Sequence, residues 1–213
     1  MAPESHTPSL GHLRDFARAR ANGRATHVES DRRQVEAPAD DRVFAFVYER
    51  LITRIIEYVR AGNRGGALDQ AVFDASDRMK PSYAAAAKGM AQVLQGLNPT
   101  SASRRQRNIV VLDTDGYPLV SLRVHLVLEA ASGNFGAVVH FSGNPITQPE
   151  MDLMETAVAK AVQQIDPNLQ PMIVLARTGV ARPIDPAVAL TRERISFLRT
   201  ESLAYREAWA VAA

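Results

Sequence analysis

Apolar and polar residues alternate most regularly between Asn108 and Ala176. In Leu119–Glu129, Val120, Leu122, Val124, Leu126 and Leu128 fall on one face. Ser121, Arg123, His125 and Glu129 fall on the other, with Val127 the exception. In Phe135–Ser142, Phe135, Ala137, Val139 and Phe141 share a face opposite Val138, His140 and Ser142. A period of two with one apolar face predicts strands of a sheet covered on one side. Ile109–Asp113 precedes them as a third strand-like run. Asp115-Gly116 and Ser132-Gly133-Asn134 supply turn residues between the runs. The three runs therefore read as an antiparallel meander. Matching apolar faces sets Leu126 opposite Val139 and Leu128 opposite Ala137, and so His125 opposite His140 on the polar face. A slip by one residue would carry both imidazoles into the core.

The period then changes to that of a helix. Met151, Met154, Ala157, Val158, Ala161, Val162 and Ile165 form one stripe over Glu150–Ile165. Thr147-x-x-Glu150 has the form of a capping box, Pro149 suits a first turn, and Asp166-Pro167 ends the helix. A fourth strand follows at Met172–Ala176. The order β-β-β-α-β predicts an α/β (α+β) unit with the helix on the sheet's apolar face.

Upstream, Asp41–Ala61 carries Phe44, Val47, Tyr48, Leu51, Ile55, Tyr58 and Val59 at helical spacing, widened by Ile52 and Ile56. Asp40 or Asp41 caps it and Gly62 ends it. Gly65-Gly66 breaks the chain, Ala67–Phe73 reads as a short helix, and Pro81 opens another that Asn98-Pro99 terminates. Thr100–Asn108 reads as a polar connection, and 177–186 as a loop. Asp185 then caps a last helix bearing Val188, Ile195, Leu198, Tyr205 and Trp209 near one side. That helix either packs back on the domain or serves, through Trp209, as the interface of a homo-oligomer. The first 40 residues are polar, with Leu13 and Phe16 enough for one helical turn, and read as a mobile tail. The predicted organisation is thus a tail over 1–40, a helical segment over 41–99, and a sheet unit with a C-terminal helix over 108–213.

Composition narrows the classes. The 213 residues are 46% hydrophobic and contain no cysteine, which excludes disulfide scaffolds and thiolate metal sites. No apolar run reaches membrane-spanning length and the start lacks a signal-peptide pattern, so the expected location is cytoplasmic. The net charge of +2 does not by itself imply nucleic acid. Three lysines among 25 basic residues leave the rest to arginine. Arg50 and Arg54 on the 41–61 helix, with Arg104, Arg105 and Arg107, form a candidate nucleic-acid surface; a protein partner is equally compatible.

Two motifs resemble known enzyme families. Asp113-Thr114-Asp115-Gly116 after an apolar strand looks like the first motif of haloacid-dehalogenase-type phosphotransferases. That resemblance implies Asp113 as nucleophile and Asp115 as acid/base. The meander that follows is not the βα repeat such a fold needs. The β-β-β-α-β order resembles the first half of a ribonuclease H-like fold. It implies a two-metal nuclease with Asp113 or Asp115, and Glu150, Asp152 or Glu155, as ligands. The third acid is missing, because Met172–Ala176 runs into Arg177-Thr178-Gly179. No complete catalytic set appears, and no cofactor or metal is assigned. The expected function is a non-enzymatic interaction protein. The competing expectation is a metal-dependent nuclease or small-ligand-binding domain using the polar sheet face, with Arg123, His125 and His140 in the site. A shared Zn²⁺ on the two histidines would need further ligands.

Overall fold

The computed structural model describes residues 6–19, 21–37, 48–105 and 107–212. Five strands form one mixed sheet in the order β1-β4-β5-β6-β7: β1 Ser101–Arg104, β4 Leu126–Ala130, β5 Gly133–His140, β6 Gln170–Leu175 and β7 Val180–Pro183. Only β5 and β6 run parallel, joined through α6 (Gln148–Ile165). The strands β2 (Ile109–Leu112) and β3 (Pro118–Leu122) form a separate two-stranded sheet.

The expected meander is therefore divided. Its first hairpin forms, with Gly116 at φ 77° and the Asp113 carboxylate accepting the N–H groups of Asp115 and Tyr117. The long second run breaks at 123–125, so β3 and β4 lie in different sheets. At the break, Nδ1 of His125 accepts the N–H of Val139 (3.0 Å), while the His125 N–H donates to the Ala137 carbonyl (2.9 Å). A side-chain acceptor ends the β4 ladder where the alternation alone would have continued it.

The register also differs. Leu126 faces Ala137 and Leu128 faces Phe135, two residues from expectation. Ala130 pairs with Gly133, leaving a two-residue turn, and Gly133 takes φ 136°. A shift of two preserves every inward face, so the apolar pattern cannot detect it; the turn sets it. His125 and His140 are consequently not cross-strand partners.

The sheet is covered on both sides. Phe135, Ala137, Val139, Met172 and Val174 pack in one core with α3 (Glu49–Arg60), α4 (Ala67–Phe73) and α5 (Lys80–Leu97). Val138 and Ile173 pack in a second core with α6, β2, β3 and the two ends of the chain. The helix α6 thus lies against the face opposite the one expected. Gly136 makes room for it, since a Cβ there would come within 2.9 Å of Val162 Cγ2. Its capping box forms as read, with Thr147 and Glu150 exchanging bonds.

The stretch expected as a tail holds α1 (Leu10–Arg18) and α2 (Ala21–Glu36). Leu10, Leu13 and Phe16 are buried in the second core, and Ser9 Oγ caps α1 at the His12 N–H. The helix α2 buries the apolar Val28 and is fastened by polar groups: Arg24 bonds both oxygens of Glu201, and buried Asp31 accepts the Tyr205 hydroxyl (3.1 Å). Such anchoring leaves no apolar periodicity to read. The start of the helix predicted from 41 lies outside the described residues through 47; its remainder is α3. The expected last helix is divided into α7 (Pro186–Ala189) and α8 (Arg192–Val211). Leu198, Tyr205 and Trp209 of α8 are buried in the second core, so Trp209 packs on its own chain. The connections expected over 100–108 and 177–186 contain β1 and β7. Both are edge strands, where the Pro183 of β7 costs no ladder bond.

Glycine matters most at Gly89 of α5. A Cβ there would sit 1.9 Å from the Ala176 carbonyl oxygen and 2.8 Å from the Gly179 nitrogen, both backbone atoms. Gly89→Ala is therefore expected to destabilise the fold by ~1–3 kcal/mol, seen as a lower urea midpoint. At Gly96 of the same helix a Cβ meets nothing within 4 Å, so Gly96→Ala should raise the midpoint.

Candidate ligand-binding cleft

A cleft of about 400 Å³ opens at the carboxyl end of β5. Four parts of the chain converge on it. The α1 region supplies Ser9, Gly11 and Arg14; the start of α3 supplies Tyr48, Glu49 and Ile52; β3 and the segment after it supply Ser121, Arg123 and His125; β5 and its end supply Val138, His140 and Phe141. Asn108 and Met154 also line it. The volume falls in the range of small-molecule sites, and the mixture of apolar wall and few polar groups is typical of them.

Its polar groups are tightly held. Glu49 forms ion pairs with both Arg104 and Arg123, and the Arg123 Nε donates to Asn108 Oδ1 (3.3 Å). Arg14 is bonded to the neighbouring Asp15 carboxylate and brings Nη1 to 3.2 Å from His140 Nδ1. Tyr48 stacks on Phe141 with ring centres 4.0 Å apart, and His125 meets Phe141 edge-on at 6.2 Å. The Tyr48 hydroxyl accepts from Arg177, which also donates to Ser82 Oγ.

Arg123, His125 and His140 all line this cleft, although the facing pair of imidazoles expected from the pattern does not form. The contributions of Arg14, Tyr48, Glu49 and Asn108 were not read from sequence. Arg14 lies 126 residues from His140 in the chain, and no local pattern reports such a contact. The arginines expected to hold nucleic acid are spread over α3, β1 and the segment after it. Arg54 is paired with Glu57 and Asp74, and Arg104 with Glu49. Arg50 and Arg107 are exposed, and Arg105 has its Nε buried without a partner among the described residues.

The acids invoked by the two enzyme resemblances do not come together. Asp113 and Asp115 lie at the β2–β3 turn, outside the five-stranded sheet, and both pair with Arg199. One oxygen of Glu150 serves the capping box, while Asp152 and Glu155 are bound by Arg194. No group of three or more His, Asp or Glu side chains among the described residues is placed to hold a metal ion. No helix among them is long and apolar enough to cross a membrane. Fold and cleft together define a three-layer α/β domain with a side pocket of small-molecule size. No family model, curated protein or solved structure matches the chain.

Burial lowers the pKa of both cleft histidines from 6.5 to about 4. At His125 the positive charges of Arg123 and Arg104 add to it. At His140 Arg14 adds to it, opposed by Asp15 and Glu150. Both imidazoles are neutral at pH 7. Because the folded-state values are depressed, the unfolded chain binds more protons between pH 6.5 and 4. Stability is therefore complete above 6.5 and declines as pH falls through this window, by at most roughly 3 kcal/mol per histidine. Urea titrations at pH 7 and pH 4.5 should show the decline, and His125→Gln should make it shallower.

Proposed function

We propose that the chain is a non-enzymatic binding domain whose working part is the cleft at the end of β5, and that its ligand is a small organic molecule. The observation that supports this reading is convergence: side chains from α1, α3, β3 and β5 meet around about 400 Å³ of open space. Concave sites of this size, walled by apolar groups with a few converging polar ones, are the usual form of small-molecule sites. Tyr48 and Phe141 offer an aromatic wall, and the held arginines and histidines offer fixed polar contacts.

Gly11 provides the test. It lies on α1 at the cleft, and a Cβ added there meets only Ser9 Oγ, at 3.8 Å. Gly11→Trp should fill the opening without disturbing the helix, where replacing glycine is favourable. A compound library screened by thermal shift should yield stabilisers of the parent chain. At a concentration of about 100 times Kd each adds roughly 2.7 kcal/mol. Gly11→Trp should remove that gain. Stabilisers that act equally on both proteins would place binding elsewhere and defeat the reading.

A second reading, nucleic-acid binding, is favoured by one observation. Arg50, Arg105 and Arg107 form no ion pair among the described residues, whereas Arg54 and Arg104 do. Unpaired guanidinium groups are the ones free to replace counterions on phosphates. Replacing Arg50, Arg105 and Arg107 by alanine should weaken retention of single- or double-stranded nucleic acid and flatten its dependence on salt. Unchanged binding by the triple variant removes this reading.

A further inference from the structure

We propose that the cleft is an oxyanion site: its ligand presents a carboxylate or phosphate group to Arg14, Arg123 and the Nε2–H groups of His125 and His140. The inference rests on the cleft reading and names the chemistry of its ligand.

The hydrogen-bond partners of the two rings fix where their protons lie. A backbone amide is always a donor, so the Val139 N–H obliges His125 Nδ1 to accept. An arginine guanidinium has no acceptor either, so Arg14 Nη1 at 3.2 Å obliges His140 Nδ1 to accept. A neutral imidazole with an acceptor at Nδ1 carries its proton at Nε2. Both rings are thus held as Nε2–H donors by partners that cannot exchange roles. The Nε2 of His140 is buried and has no hydrogen-bond partner among the described residues, so a ligand oxygen reaching it would satisfy a donor that is otherwise uncompensated.

The charges point the same way. Arg14 and Arg123 line the cleft with Glu49; with Arg104 beside Glu49, and Asp15, Glu150 and Arg177 around His140, the count is four guanidinium groups to three carboxylates. Glu49, the carboxylate that lines the cleft, is already engaged by two of them. The lining thus carries two guanidinium groups and two imidazoles held as Nε2–H donors against one carboxylate. Such an array favours a group that only accepts and carries negative charge.

The test uses the full chain and three probes that share a phenyl ring: benzoate, phenyl phosphate and neutral benzamide, the last matching benzoate in shape. Long-range proton–nitrogen spectra of the free protein at pH 7 should show both rings protonated at Nε2. Benzoate or phenyl phosphate should shift those Nε2 signals and bind at least about tenfold more tightly than benzamide, and Arg14→Gln or Arg123→Gln should each weaken the anion about tenfold. Whichever anion binds better identifies the carboxylate or the phosphate as the natural group. An Nδ1-protonated ring at either position overturns the proposal without recourse to a variant. So does benzamide binding as well as the anions, which would leave the cleft a ligand site but not an oxyanion site. Anions that shift neither ring, or bind the arginine variants undiminished, overturn it equally. Anion binding retained by Gly11→Trp would count against the cleft itself.

Discussion

One hydrogen bond shapes the region that matters here: the Val139 N–H donating to His125 Nδ1. It occupies the end of the β4–β5 ladder with a side chain, so the chain running from β3 into β4 need not pair with β5. That frees β3 to join β2 in a second small sheet, and the gap between the two sheets becomes the cleft. The same bond fixes the imidazole's proton at its other nitrogen. A backbone feature and a chemical feature follow from one contact, which is why neither is separable from the fold.

The other wall of the cleft depends on the N-terminal helices. The helix α1 brings Arg14 to His140, and α1 is held in turn by apolar burial and by α2 and α8 behind it. The node there is Asp31. It is buried, it accepts the Tyr205 hydroxyl, and it has His12 and His27 within ion-pair distance. Burying a carboxylate costs stability unless its acceptors are engaged, and the Tyr205–Asp31 bond, with the Arg24–Glu201 pair, ties α2 to α8 through directional contacts. Tyr205 responds as expected for a hydroxyl facing a carboxylate: burial first, then Asp31, raise its pKa. An apolar contact would tolerate sliding of α2 along α8. This network does not, and the position of Arg14 inherits its precision.

Local chemistry in the sequence determined most of the helices. Ala67–Phe73, the Asn98 terminus and the Thr147–Glu150 box were legible because caps and glycine breaks act within a turn of where they are written. The inward faces of β4 and β5 were legible for a similar reason. Their register was not, because a shift by two residues leaves the pattern unchanged, and the Ala131-Ser132 turn decided it. The missed strands β1 and β7 lie at edges, where pairing with one neighbour suffices and apolar alternation is not required. The helix α2 escaped notice because ion pairs anchor it, not an apolar stripe. Arg123, His125 and His140 drew attention as polar residues on a strand pattern, yet they meet at the cleft through a break in that pattern.

The state of the two histidines also bears on whether this is a site for binding or for chemistry. A general base needs a free basic nitrogen and a pKa near the working pH. In each ring the basic nitrogen, Nδ1, is already engaged, by a backbone amide in one and a guanidinium in the other. Their pKa values of about 4 leave them uncharged at pH 7 as well. Neither ring is arranged to take a proton from a substrate. Each is arranged to offer one in a hydrogen bond and keep it. On the proposed reading these donors hold an anionic ligand: a ring that keeps its proton contributes a directed hydrogen bond to the ligand oxygen and takes no part in proton transfer.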